Sequence, residues 1–190
     1  VFKNNPNVAG FMFEPIQGEA GVVVPDEGYI SGVRQLCSHH RVLMMADEIQ
    51  TGLARTGKML ACDHEQVKPD ILILGKALSG GVFPVSAVLA DDEIMMVLKP
   101  GQHGSTFGGN PMAAKVAIAA LEVVEEEQLS KNARELGVLF RKEMQRIINH
   151  TDLIVSVRGK GLLNAIVIND SPDSSTAWDL CVQLKENGLL

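Results

Sequence analysis

Aromatic residues are scarce in this 190-residue chain, at 4% of the sequence, so its core must be built from aliphatic side chains and methionine. No apolar run approaches the roughly 18 residues that a membrane-spanning helix needs, and we expect no membrane partner. The three cysteines, Cys37, Cys62 and Cys181, are far apart and show no metal-ligand spacing. We therefore expect reduced thiols, an intracellular protein and no metal site.

Basic residues are also fewer than acidic residues. The chain has 17 basic and 23 acidic residues, a net charge of −6, which argues against a nucleic-acid partner. Its length suits one sizeable domain, or one domain and part of another. The sequence starts at Val1 rather than at methionine and stops at Leu190, directly after a helical pattern. We therefore expect a fragment of a longer protein.

Unbroken apolar runs alternate with helical patterns along most of the chain. The runs cover residues 8–14, 42–46, 71–74 and 84–90, and the helical patterns cover residues 28–40, 111–126, 130–148 and 176–187. Continuous apolar runs are typical of buried parallel strands, and their alternation with helices predicts an α/β fold, a mostly parallel sheet layered with helices. Two later runs, residues 153–158 and 162–168, flank Gly159–Lys160–Gly161 and predict the start of a small α+β unit.

The two long helical patterns each predict a buried face. For residues 111–126 the apolar stripe is Ala113, Ala117, Ala120, Leu121 and Val124. For residues 130–148 it is Leu136, Leu139, Phe140, Met144 and Ile147. We expect both stripes to pack against the rest of the chain, because an amphipathic helix buries its apolar side.

Asp47 follows the second apolar run and is the first candidate for chemistry. An acid in this place is often only a turn residue. Together with Glu48 it could also bind the metal of a nucleotide hydrolase. That function needs a phosphate loop of the form G-x-x-x-x-G-K-[ST], and none of the three Gly-Lys pairs of the chain fits this pattern.

Lys76 follows the third apolar run in the same way. A lysine at a strand end is commonly a surface residue, and alone it decides nothing. Asp47 and Lys76 together are more informative, because ligands of open α/β sheets bind outside the carboxyl ends of the strands. An amine that can form a Schiff base and an acid that can keep a ring nitrogen protonated are what a carbonyl cofactor with a basic ring requires.

Two polar loops complete the candidate site. Residues 104–110 (GSTFGGN) precede a helical pattern, and their hydroxyls and amides could form an anion site or only a flexible turn. Residues 14–21 (EPIQGEAG) follow the first apolar run and could form a solvated loop or a wall of a substrate pocket.

Taken together, four ordered stretches resemble the class III aminotransferases, which belong to the fold-type I pyridoxal-phosphate enzymes. The stretches are residues 14–21 (EPIQGEAG), 46–57 (ADEIQTGLARTG), 69–81 (PDILILGKALSGG) and 103–111 (HGSTFGGNP). The resemblance implies that residues 1–135 form part of the large cofactor-binding domain. Residues 136–190 would then be a linking helix and an incomplete small C-terminal domain.

The resemblance also implies a role for each candidate residue. Lys76 would carry pyridoxal 5'-phosphate covalently, and Asp47 would pair with its ring nitrogen. Gln50 would contact the side of its phenolic oxygen. Ser105 and Thr106 would reach the phosphate of a neighbouring subunit's cofactor, which implies a homodimer or a higher homo-oligomer.

The remaining implications concern the substrates. Glu19 would shape the substrate site by pairing with an arginine that receives the carboxylate of the oxo acid. Residues 1–9 and 158–167 favour the family members that move the terminal amino group of ornithine to 2-oxoglutarate. N-acetylornithine and 4-aminobutyrate are the alternative amino-group donors. A chain without catalytic activity, a non-catalytic fragment, is the alternative of another class. The compartment would be the mitochondrial matrix or the cytoplasm.

Overall fold

The computed structural model describes residues 2–171 and 173–189. Val1, Pro172 and Leu190 lie outside the described residues. The expectation of a fragment was based on the two ends of the chain, Val1 and Leu190, so it falls outside the described residues as well. No helix among the described residues is long and apolar enough to cross a membrane.

The central sheet has four strands in the order β1-β2-β3-β4. These are β1 (Gly10–Phe13), β2 (Leu43–Asp47), β3 (Ile71–Leu74) and β4 (Ala87–Ala90). The first three are parallel, which confirms the predicted mostly parallel sheet. The last strand is shorter than its apolar run and antiparallel to β3. The connection between β3 and β4, residues 75–86, contains a short 3-10 turn, whereas a parallel return usually runs through an α-helix.

Five α-helices and a second sheet are the other main elements of the described residues. The helices are α1 (Tyr29–His40), α2 (Asp92–Met95), α3 (Pro111–Glu126), α4 (Leu129–Ile148) and α5 (Thr176–Glu186). The second sheet is an antiparallel hairpin of β5 (Ile154–Lys160) and β6 (Leu163–Ile168). The predicted Gly159–Lys160–Gly161 connection is wrong in detail, because β5 continues through Lys160 and the turn lies at Gly161 and Leu162.

Two hydrophobic clusters hold the sheet and its helices together. The first includes Met44 and Ala46 of β2 and is covered by Ile30 and Cys37 of α1. The second joins β3 to α3 and is lined by Leu53, Leu72, Leu74, Leu78, Ala117 and Leu121. A polar contact supports the first cluster, because Asp70 accepts hydrogen bonds from both Arg34 of α1 and the Met44 amide, each at 2.7 Å. The Asp70 contacts join α1 to the starts of β2 and β3 and so hold the two strands side by side.

Helix α4 packs closely through small residues, and its predicted apolar face is only partly covered, with Phe140 and Met144 half-buried. Ala133 and Gly137 are its buried residues, whereas Leu136, Leu139 and Ile147 are exposed and were wrongly predicted to be buried. The reason is a close approach of two backbones. A side-chain carbon at Gly137 would collide with the Gly161 carbonyl oxygen of the β5–β6 turn. A larger side chain therefore cannot occupy position 137 of the helix.

This close approach gives a stability prediction. Gly137→Ala should lower the free energy of unfolding of the full-length protein by about 1–3 kcal/mol, because the added methyl group meets backbone that has little room to move. Chemical denaturation with urea measures the change. Gly32→Ala in α1 is the matched control, since nothing lies within 4 Å of the added carbon there. We expect that control to be neutral or slightly stabilising. A Gly137→Ala protein as stable as wild type would show that α4 and the β5–β6 turn do not pack this closely.

Candidate active site

Four of the six predicted site residues gather at one edge of the central sheet. Asp47 is the last residue of β2 and pairs in register with Ile73 of β3. Gln50 follows in the loop after β2, and Lys76 follows β3 after one glycine. Glu19 lies in the loop after β1. Because β1, β2 and β3 are parallel, all four residues come to the same carboxyl edge, where the strand-end argument placed Asp47 and Lys76.

Lys76 has an unusual backbone. It opens the 3-10 turn Lys76–Ser79 with φ +43°, in the left-handed region that lysine rarely adopts. Such a conformation costs of order 1–3 kcal/mol and is often found at functional sites. The residue is exposed and lines two adjoining clefts. One, of about 780 Å³, also contains Gln50, and the other, of about 950 Å³, contains Ser105. The amine of Lys76 is therefore open to a ligand on both sides.

Asp47 is held by its own loop. Its Oδ1 accepts a hydrogen bond from the Ile49 amide at 3.0 Å, which fixes the carboxylate direction without using both oxygens. Among the described residues, Oδ2 makes no hydrogen bond. The side chain is half-buried, so a ligand that presents a protonated ring nitrogen would meet a fixed acceptor.

Glu48, next to Asp47, has a different task. Its side chain is 1% exposed and accepts hydrogen bonds from the Ala61 amide at 2.9 Å, the Cys62 amide at 2.8 Å and the Thr51 hydroxyl. Burial and the Glu48 carboxylate raise the pKa of the Cys62 thiol. Glu48 thus has its acceptors occupied inside the protein. The geometry gives no support to Asp47 and Glu48 as the paired acids of a nucleotide hydrolase.

The buried contacts of Glu48 predict a large structural effect. Glu48→Ala should reduce the free energy of unfolding by about 2–3 kcal/mol, because two amides and a hydroxyl would be left buried without a partner. Thermal or urea unfolding of the full-length protein measures this. Asp63→Ala removes a carboxylate that accepts one amide, from Leu60, in the same turn, and it should cost about 1 kcal/mol. Equal losses in the two variants would show that burial of Glu48 adds nothing.

Gln50 and Glu19 contact each other directly. The Gln50 Nε2 donates to Glu19 Oε1 at 2.8 Å. The Gln50 amide lies so close to the backbone of Gly18 that a side chain at that position would collide with it. This contact links the loop after β1 to the loop after β2, and it brings two of the predicted residues together.

Ser105 and Thr106 lie apart from this group. Both are exposed, and Ser105 Oγ accepts a hydrogen bond from the Gly108 amide at 2.9 Å. The loop leads into α3, which is capped by Asn110 through a 2.8 Å bond to the Ala113 amide. Ser105 shares a cleft with Lys76, whereas Thr106 does not line that cleft. Both remain predicted anion-binding residues.

One contact near the site was missed by the sequence reasoning. Arg158 on β5 donates from Nε to the Gly21 carbonyl oxygen at 2.9 Å, across 137 residues of sequence. Gly21 lies in the same loop as Glu19. Nothing in the local pattern of β5 points to this partner, since the arginine occupies an ordinary exposed strand position.

Comparisons with known proteins agree with this geometry. The family described as aminotransferase class-III matches residues 2–190. The mitochondrial ornithine aminotransferase of Rattus norvegicus is 63% identical over 186 residues, which cover 98% of this chain and 42% of the rat protein. Among solved structures, an acetylornithine aminotransferase from Elizabethkingia anophelis superposes with a TM-score of 0.97 at 66% identity, over 100% of this chain and 48% of that one.

A second solved structure gives the same fold. The ornithine aminotransferase of Toxoplasma gondii ME49 superposes with a TM-score of 0.93 at 51% identity, over 98% of this chain and 44% of that one. The chain thus spans less than half the length of these proteins, and the match runs along nearly all of what is present. It belongs to the class III aminotransferase family.

Proposed function

We propose that the whole protein is an aminotransferase that moves the terminal amino group of L-ornithine to 2-oxoglutarate. The products would be glutamate 5-semialdehyde and glutamate, which places the enzyme in proline and arginine metabolism. The observation that carries the proposal is the pair of Asp47 and Lys76 at neighbouring strand ends of one sheet edge, with Lys76 open to two clefts.

The residues present suit pyridoxal 5'-phosphate, the cofactor on which class III aminotransferases depend. Lys76 would hold it through its amine, and the fixed carboxylate of Asp47 would accept from its protonated ring nitrogen. Gln50 would lie beside its phenolic oxygen. When bound, the cofactor supplies an electron sink for the negative charge that develops on the substrate carbon. An amine and an anchored acid at one edge are the donor set that this group needs.

The chain's own residues then have distinct tasks. Lys76, once free, would act as a general base that takes a proton from the amine-bearing carbon of the substrate, and it would later return a proton. Asp47 would keep a positive charge at the ring position throughout. Glu19, held by Gln50 at 2.8 Å, would border the substrate and pair with the arginine that receives the oxo acid carboxylate.

N-acetylornithine is the second candidate donor. The observation that favours it is the 66% identity with a protein named acetylornithine aminotransferase, which is comparable to the 63% identity with the rat ornithine enzyme. The two donors differ in the charge of the α-amino group, which acetylation removes.

One experiment tests the function and the cofactor together. The full-length protein would be purified with pyridoxal 5'-phosphate, reduced with borohydride and mapped for the modified peptide. We expect the adduct on Lys76 and, in a separate unreduced sample, faster amino transfer from ornithine than from N-acetylornithine. An adduct on another lysine, or none, would remove the basis of the proposal. A preference for the acetylated donor would change the substrate and keep the reaction class.

Three further expectations are proposals of the same kind. We propose a homodimer in which Ser105 and Thr106 reach the partner's cofactor phosphate, since both hydroxyls are exposed and lie away from Asp47. We propose a mitochondrial location, supported by the mitochondrial names of relatives such as the rat protein. Residues 1–135 and 136–190 would belong to the large domain and to the linking helix with the small domain.

A further inference from the structure

We infer that Arg158 is a positioning residue that holds the loop of Glu19 in place from the β5–β6 hairpin, and that it thereby tunes binding at the substrate site. The inference rests on the proposed function for the role of Glu19. The tether itself rests only on contacts of this chain.

The loop of Glu19 is a tight turn that closes on itself. Gln17 and Val23 pair across its base with hydrogen bonds of 3.1 and 2.9 Å, and the Gly21 amide donates to the Gly18 carbonyl at 3.0 Å. Two consecutive residues, Gly21 at φ +101° and Val22 at φ +54°, lie in the left-handed region. Val22 of this turn is buried, whereas Glu19 and Ala20 at its tip are exposed, so contacts from outside the loop help to fix the tip.

Two side-chain hydrogen bonds reach this loop from outside it, one from Gln50 after β2 and one from Arg158 on β5. Gln50 holds the Glu19 side chain at 2.8 Å, and Arg158 Nε holds the Gly21 carbonyl at 2.9 Å. The guanidinium lies against the loop backbone, because a side-chain carbon at Gly21 would be 3.0 Å from Arg158 Nη2. The structure shows no ion pair between Arg158 and Glu19 within the described residues. Arg158 therefore fixes the backbone and leaves the carboxylate available.

Arg158 is itself carried by a firmly placed element. The β5–β6 turn lies on the loop after β2, where the Leu162 amide donates to the Arg55 carbonyl at 2.9 Å. A side chain at Gly161 would collide with the backbone of Arg55 and Thr56. Arg141 of α4 bonds to Asn164 at 2.8 Å from the other side. The hairpin thus joins the loop after β1 to the loop after β2, and Arg158 is its contact with the first.

The test uses the full-length holoenzyme with Arg158→Ala and Arg158→Lys. Hydrogen exchange of the peptide covering residues 16–24 reports the tether. We expect faster exchange in Arg158→Ala and partial recovery in Arg158→Lys. Arg146→Ala is the matched control, since Arg146 is an exposed arginine whose side chain bonds to Glu143 of its own helix. Unchanged exchange at residues 16–24 in Arg158→Ala would overturn the inference.

Kinetics report the consequence for the substrate site. We expect Arg158→Ala to raise the KM for 2-oxoglutarate about five- to tenfold, the effect of one lost hydrogen bond, with kcat changed less than about twofold. In a Glu19→Gln background the same change should add less than about twofold, because both substitutions act through one loop. Fully additive effects, or an unchanged KM beside normal wild-type activity, would overturn the inference.

The two proposals fail in different ways. A wild-type protein that transfers no amino group from ornithine or from N-acetylornithine would refute the proposed function and, with it, the kinetic role of Arg158. The exchange measurement would still decide the tether in that case, because it does not depend on turnover.

Discussion

Replacement of Lys76 by alanine is expected to abolish turnover of the full-length enzyme, by at least about 10⁴-fold. Lys76 is the amine at the carboxyl end of β3, it lines both clefts, and its backbone is held in a left-handed conformation. The substitution removes the covalent anchor and the base in one step, and a positioned general base alone contributes roughly 10²–10⁴-fold. Single-turnover and steady-state assays with ornithine and 2-oxoglutarate measure the loss.

The control for this experiment is another exposed lysine. Lys68 donates to Asp91 at 3.2 Å at the surface, away from both clefts, and Lys68→Ala should keep wild-type activity. Loss of activity in Lys76→Ala should occur without loss of folding, because the removed side chain is exposed. Near-normal multiple turnover by Lys76→Ala would show that another amine carries the reaction.

Asp47→Asn is expected to keep the fold and bind the cofactor, yet lose roughly 100- to 1,000-fold in kcat. The amide can still accept from Ile49 through its oxygen, so the turn after β2 should survive. What disappears is the negative charge that would stabilise a protonated ring nitrogen. Removal of one pre-organised electrostatic partner costs about this factor in other enzymes. Measured kcat and the absorbance spectrum of the bound cofactor test the expectation.

A control substitution shows whether the loss of kcat depends on the position of the removed carboxylate. Asp91→Asn removes an exposed carboxylate that pairs with Lys68, and it should leave kcat unchanged. If Asp47→Asn also retained the wild-type rate, the ring nitrogen would have to be protonated by some other group. The assignment of Asp47 would then be wrong even if Lys76 is correct.

The fold was predictable where local pattern and tertiary packing agree. The apolar run of residues 71–74 is β3, and the helical pattern of residues 111–126 is α3, with Ala113, Ala117 and Leu121 packed inward as expected. Helix α4 shows where pattern fails. Its leucines mark an apolar side, but the contact with the hairpin needs the missing side chain of Gly137. Hydrophobic periodicity cannot reveal a contact made by backbone.

The candidate site shows a similar division. Asp47 and Lys76 could be placed together from sequence, because parallel strands bring their carboxyl ends to one edge. The difference between Asp47 and Glu48 could not, since adjacent strand-end acids look alike until the structure shows which is buried. The contact of Arg158 could not be predicted from the sequence for another reason. Its partner is a carbonyl oxygen, which every residue possesses and no side-chain motif marks.

The hydrogen bond between Arg158 and Gly21 affects the order in which parts of the structure can form during translation. The two residues are 137 positions apart, so at about 5–20 residues per second the arginine is translated roughly 7 to 27 s after the loop it holds. During that interval the sheet edge with Asp47 and Lys76 can form, while the loop of Glu19 lacks one of its two anchors. A nascent chain would therefore acquire its chemical groups well before it acquires the final shape of its substrate pocket.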